Sequence, residues 1–294
     1  MKSVVPYFQV HQPFRLRRYT FFDIGRTDRY FDDEANAGIL RRVAAKCYLP
    51  MNRLLLAAVK ATGGRFRCAF SVSGTALDQM EAWAPEALDS FRRLAATGAV
   101  EFLGETSHHS LASILDPVEF DLQVREQSDR VERLFGRRPT TFRNTELILS
   151  NAIARRAEEL GFRCILGEGA DHLLGWRSPR HVYRPEGCES IRLLLRTYLL
   201  SDDIAFRFGH RGPDGAGLTA GAFAGRIRAL PEEDGVVGLF MDYETFGEHQ
   251  WEETGIFRFM EALPAEVLGG GGADFATPAE AAAARDPVAR LDVP

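Results

Sequence analysis

Residues 236–251 run from an apolar stretch straight into Asp242, Glu244, Glu248, His249 and Trp251. A core strand needs no such cargo. Either a buried strand delivers a reactive carboxylate to a cleft, or an unusually acidic loop follows the strand. Three other apolar or β-prone runs end in a similar way, on His11, Glu105 and Glu146. Any one carboxylate in such a place reads more simply as a helix cap or a solvated loop residue, but four groups on one rim would converge in space. Two carboxyls flanking one bond are the apparatus of glycoside hydrolysis, one attacking the sugar carbon and the other protonating the departing oxygen. Glu146 and Asp242 are the candidates, and a retaining mechanism requires such a pair to stand about 5 Å apart.

His108 and His109 are adjacent, and His11 is expected on the same rim, which invites a metal reading. Neighbouring residues of an extended segment point to opposite faces, so His108 and His109 are poorly placed to share one ion. No metal is therefore expected, and hydrogen bonding to sugar hydroxyls suits His11 better. Trp176 and Trp251 read either as packing residues or, in their polar loops, as rings that stack on a sugar face.

These groups need elements to carry them. Residues 3–10 are β-prone and end on His11-Gln12-Pro13, and an aromatic, acidic insertion covers residues 19–36. Helical spacing runs from Ile39 to about Ala61 with a local break at Pro50, strand alternation over residues 65–72, and a helix over 75–96. A third strand at 99–104 leads to Glu105. Asp116-Pro117-Val118-Glu119 starts a helix that Gly136 stops. Residues 139–146 read as a fourth strand with Glu146 at its tip, followed by a helix over 151–160. Strands at 162–166 and 190–195, a helix through Phe223, Ile227 and Leu230, the strand 236–241, a helix over 256–263 and a last strand and helix over 273–284 complete the series. Seven or eight strands alternating with helices predict one α/β domain, residues 1–294, around a parallel sheet. A doubly wound sheet would carry a Gly-rich loop after its first strand, where this chain has His11-Gln12-Pro13. A barrel with its reactive groups at the C-terminal strand ends is favoured.

At 294 residues and 45% hydrophobic content the chain can build a sizeable core. A net charge of −5 with mixed signs throughout argues against nucleic acid as a partner. No apolar run has the length of a membrane span and the N-terminus does not resemble a signal peptide. The four cysteines form no CxxC pair, which points to a reducing cytoplasm.

In order along the chain, several segments resemble the α-amylase-like branch of glycoside hydrolase family 57. Phe8-Gln9-Val10-His11-Gln12-Pro13 is similar to the first family region, and Gly104-Glu105-Thr106 with His109-Ser110-Leu111 to the second. Phe142-Arg143-Asn144-Thr145-Glu146-Leu147 resembles the third, and Met241-Asp242-Tyr243-Glu244-Thr245-Phe246-Gly247 the fourth. The segments 167–176 and 200–207 also look like this branch. The resemblance implies an incomplete TIM-like (β/α)7 barrel, a retaining mechanism on α-glucans, Glu146 as nucleophile, Asp242 as general acid/base, and no catalytic metal. Members usually continue into a C-terminal helical region holding a fifth region; the sequence departs from that pattern, leaving room for a C-terminal helical partner or an oligomer. Residues 209–217 are Gly-rich and offer no tryptophan where the branch presents an aromatic surface.

The leading expectation is a retaining α-glucan hydrolase acting on α-glucans or maltooligosaccharides. In it His11, Glu105, His109, Glu244 and His249 orient sugar hydroxyls, and Trp176 and Trp251 stack. Three alternatives stay open: glucan transfer at the same site, a metal-dependent carbohydrate deacetylase, and a barrel that binds glucan without cleaving it.

Overall fold

The computed structural model describes residues 1–210 and 217–294. Most of the Gly-rich segment 209–217, and with it the expectation of a missing aromatic surface, lies outside the described residues. In chain order the strands are β1 (Lys2–Val10), β2 (Cys68–Val72), β3 (Val100–Phe102), β4 (Thr141–Arg143), β5 (Cys164–Gly167), β6 (Arg184–Pro185), β7 (Arg192–Leu195), β8 (Val236–Asp242), β9 (Ala273–Phe275) and β10 (Arg290–Leu291).

Two parallel sheets, β3-β2-β1-β8 and β4-β5-β7, form the frame. They meet at both edges through single parallel bridges, Gly104 with Phe142 and Arg196 with Gly238. Seven strands thereby close into a ring, the expected TIM-like α/β barrel. β9 adds to the lower half of β1, below the residues that pair with β2. β6 and β10 pair separately. Both seams need glycine. A Cβ on Gly238 would stand 2.5 Å from the Leu195 carbonyl oxygen, and one on Gly104 would stand 2.6 Å from the Phe162 ring.

Side chains alternate across each strand, and the alternation sorts them into two environments. Val5 and Tyr7 of β1 pack with Leu166, Leu194 and Phe240 in the barrel interior. Val4, Phe8 and Val10 face outward, into the larger cluster that Leu40, Tyr48, Phe91 and Tyr243 share. Continuing the inner row of β1 past Tyr7 leads to Gln9 and then His11. The same step of two leads from Phe240 to Asp242, from Thr141 to Arg143, from Leu166 to Glu168 and from Leu194 to Arg196. The polar top layer of the barrel is thus the continuation of its apolar filling.

Several element boundaries differ from the sequence expectation for identifiable reasons. The helix expected over 75–96 is two helices, Gly74–Trp83 and Pro85–Ala95, because Pro85 occupies the first turn of the second. The segment expected to break at Pro50 instead runs as helix Asp33–Val43, a wider turn over Ala44–Tyr48 and helix Leu49–Ala61, with Pro50 in a first turn where its missing N–H costs nothing. The fourth strand stops at Arg143, so Glu146 sits in the turn after it. The start at Asp116 is as expected: its carboxylate accepts the Val118 and Glu119 amides, and Gly136 closes the helix in the left-handed conformation. The aromatic insertion is ordered by a Leu16–Phe31 bridge and by Tyr19 packing on Tyr30 at 5.0 Å. Among the described residues no helix is long and apolar enough to cross a membrane.

Candidate active site

A cleft of about 210 Å³ opens over the C-terminal strand ends, and Glu146, Asp242 and His249 line it. β4 and β8, which deliver the two carboxylates, are three strands apart around a ring of seven, close to opposite one another. Asp242 is the last residue of β8, in register with Gln9, and is exposed. Glu146 lies in a tight turn whose backbone is unusual. His109 (φ 51°), Glu146 (φ 54°) and Leu147 (φ 56°) are the non-glycine residues with positive φ among those described. Such conformations are sparsely populated, and each persists only where its surroundings hold it.

What holds them is visible in the side chains. His109 Nε2 lies 3.0 Å from Glu146 Oε1, and His109 Nδ1 lies 3.3 Å from Glu105 Oε2. The Glu105 carboxylate is fully buried and accepts from the Gln9 amide at 3.4 Å. The His11 ring stacks on His109 with centroids 4.1 Å apart, and its Nδ1 contacts Ser73 Oγ at 2.8 Å. His11, Glu105 and His109 therefore stand as one cluster beside Glu146, without lining the cleft themselves.

The charges follow from this packing. The hydrogen bond from His109 is the main reason the Glu146 carboxyl is held below its usual range, with Arg143 adding to it. Burial alone would lower His109, but the hydrogen bond and charge of Glu105 outweigh it and the ring is raised overall. Burial, and then the charge of His109, push His11 down to about 4. The two stacked rings are thus shifted in opposite directions, as two cations in contact would repel.

On the other wall Glu244 is buried, hydrogen-bonded by the Tyr48 hydroxyl and by the Gln12 amide at 3.4 Å. Burial raises its carboxyl to about 7. It stands behind Asp242, away from the cleft lining. Trp176 and Trp251 are 93% and 63% exposed and do not join the lining. An aromatic that does is Phe206, 67% exposed at the end of helix Tyr198–Ala205.

Sequence reasoning passed over four groups that the cleft presents. Arg143 is buried, with Nε and Nη1 lacking any partner. Glu168, raised chiefly by burial, lies 3.5 Å from Arg196. Arg196 also donates to the Phe240 carbonyl at 2.9 Å and pairs with Asp202. Phe206 is the fourth. For the two arginines and Glu168, the step of two along an inward-facing strand was the available signal. Among the described residues no group of three or more His, Cys, Asp or Glu is arranged to hold a metal ion.

A seven-stranded parallel barrel with carboxylates at its C-terminal rim defines the class of protein. The sequence profile described as Glycosyl hydrolase family 57 matches residues 6–294, and the chain belongs to that family. It is 42% identical over 264 residues to the Methanocaldococcus jannaschii protein named "Putative alpha-amylase", covering 88% of this chain and 55% of that one. The fold is similar to 4-alpha-glucanotransferase from Thermococcus litoralis (TM-score 0.76, 17% identity, all of this chain and 42% of that one). It is also similar to the GH57-type branching enzyme from Pyrococcus horikoshii (TM-score 0.70, 16% identity, all of this chain and 72% of that one). The chain spans about half the length of the curated relative it matches.

Proposed function

We propose that this chain forms one barrel domain carrying the active site of a retaining, α-amylase-like glycoside hydrolase. Its substrates are α-glucans or maltooligosaccharides, and its compartment is the cytoplasm, in keeping with four buried, unpaired cysteines. The observation that carries the reading is the pair Glu146 and Asp242, delivered from nearly opposite strands to one cleft, with the first held in its ionised form. A nucleophile must be ionised before it attacks, and Glu146 meets that need. Its carboxylate oxygen bonds to the anomeric carbon as the glycosidic bond breaks, and Asp242 gives its proton to the departing oxygen. Asp242 then takes a proton from water, whose oxygen displaces Glu146. His249 and Phe206 face the sugar, and Glu105 and Glu244 support the two walls from beneath. His249 and Phe206, rather than the exposed Trp176 and Trp251, then meet the bound glucose unit.

Glu168 is a third carboxylate on the cleft, and its raised proton affinity would also suit an acid. Its ion pair with Arg196 favours a structural role.

The test is the reaction of Glu146→Gly with azide on a maltooligosaccharide carrying a good leaving group. A retaining site lets azide occupy the emptied space and yields a glycosyl azide of inverted configuration. No such product, with the variant folded, removes Glu146 as nucleophile.

A further inference from the structure

The Glu105–His109–Glu146 chain has a feature that sugar binding does not require. Both nitrogens of one imidazole face carboxylate oxygens, at 3.3 and 3.0 Å. A carboxylate only accepts, and the ring that can donate to two carboxylates at once is the imidazolium. The Glu146 side chain is 69% exposed, whereas those of His109 and Glu105 are 8% and 0% exposed. Packing therefore fixes the imidazole, and the imidazole fixes the carboxylate. Both partners also adopt left-handed backbone, at φ 51° and 54°, a conformation sparsely populated outside glycine.

We propose that His109 is the positioning residue of the nucleophile, with Glu105 as its buried anchor. The inference rests on the retaining reading of Glu146. His109 holds Oε1 and leaves Oε2 free to attack. As Oε2 bonds to the anomeric carbon, the glycosidic electron pair goes to the departing oxygen, which takes the Asp242 proton. Oε1 becomes the ester carbonyl oxygen and still accepts from His109, so one contact serves both steps. Without it, an exposed glutamate would spread over several rotamers, and a misplacement of about 1 Å costs on the order of a hundredfold in rate. The charged and titratable groups facing this chain are His11 from β1, Glu105 beyond β3, and Arg143 and Glu146 from β4 and its turn.

The first measurement follows the ring itself. In protein labelled with 15N-histidine, with the signal assigned through His109→Asn, the His109 ring should be doubly protonated at neutral pH. Glu146→Gln and Glu105→Gln should each lower its proton affinity by roughly tenfold, about one pH unit. A ring that is neutral at pH 6, or a midpoint that Glu146→Gln leaves in place, overturns the proposal. The second is kinetic. His109→Gln should lower kcat roughly tenfold to a hundredfold, hold KM within about threefold, and move the acid limb of kcat/KM upward. A rise in KM alone, with the acid limb unmoved, makes His109 a sugar contact and overturns the proposal. Failure of azide rescue in Glu146→Gly, with the ring linkage intact, strikes the retaining reading and not the His109 contact.

Discussion

The two walls of the cleft place their carboxylates by different means. Asp242 is the last residue of a regular strand, and the register of β8 on β1 sets its height opposite Gln9. Glu146 comes three residues after its strand, on a left-handed turn, and a buried imidazole and carboxylate hold it. Backbone pairing positions the first at no local cost. Side-chain hydrogen bonds position the second, against conformational strain on the order of 1 kcal/mol or more at each turn residue. The Glu146 wall should therefore respond most to changes of side chain, and the Asp242 wall to changes of backbone.

The largest expected effect separates the two proposed chemical roles. Glu146→Gln should lower turnover about 10⁴-fold on every substrate, since no leaving group replaces a missing nucleophile. Asp242→Asn should be as damaging on natural glucans but spare the first step on substrates with an acidic leaving group, which departs without a proton. Comparing an aryl maltooligosaccharide with an unmodified one, using Glu168→Gln as a third variant, reads this directly. Equal damage by Asp242→Asn on both substrates would remove it as the acid, and leaving-group sensitivity in Glu168→Gln would transfer the role.

Next comes the backbone. Gly238→Ala pushes a Cβ against the Leu195 carbonyl at the β7–β8 seam, and strands do not give as side chains do. A loss of roughly 3 kcal/mol in denaturant unfolding is expected. Gly104→Ala meets only the Phe162 ring at the β3–β4 seam and should cost about half as much. Equal costs would mean that the two seams are alike and that the contrast between the walls does not extend to their frame.

Behind Asp242, Glu244 adds a pH dependence. Burial raises its folded carboxyl to about 7, above the unfolded value near 4.3. Between those values the folded chain keeps a proton that the unfolded chain has lost. Stability therefore falls as pH rises through that window and is level above it. The fall from pH 4.5 upward should be roughly 3 kcal/mol, and Glu244→Gln, which keeps an acceptor for Tyr48, should flatten it. Melting temperatures from pH 4.5 to 8 measure the difference, and parallel curves would show that the carboxyl is ionised in the fold.

Much of this frame is legible in the residues themselves. Short apolar or β-prone runs mark the barrel strands, and Asp116, Pro117 and Gly136 mark a helix at both ends, because each of these signals acts through its nearest neighbours. Extending the inward row of β4, β5 and β7 by one step would also have found Arg143, Glu168 and Arg196. The left-handed residues His109, in the loop after β3, and Glu146 and Leu147, in the turn after β4, left no mark, since such backbone is uncommon outside glycine and only distant packing imposes it. Trp176 and Trp251 drew attention as aromatics in polar loops, yet which loop leans over the cleft depends on how the helix after β7 packs. That decision falls to Phe206, which stood in the sequence only as one residue of the family-like segment 200–207.

The smallest expected effect tests that last placement. Phe206 follows β7 and so stands on the Asp242 side, where the departing part of the glucan must lie if Glu146 attacks from the other. Phe206→Ala should raise KM about threefold to tenfold, the order of a lost ring contact of roughly 1 kcal/mol, with kcat nearly unchanged. Trp176→Ala and Trp251→Ala should change KM less than about twofold on short oligosaccharides. The Phe206 effect should grow with a sugar unit added on the leaving side and stay constant with one added on the other, because a stacking ring recognises only the units that reach it. If the growth appears on the opposite side, the glucan runs the other way across the cleft, and the wall assigned here to the leaving group receives the glycosyl unit instead.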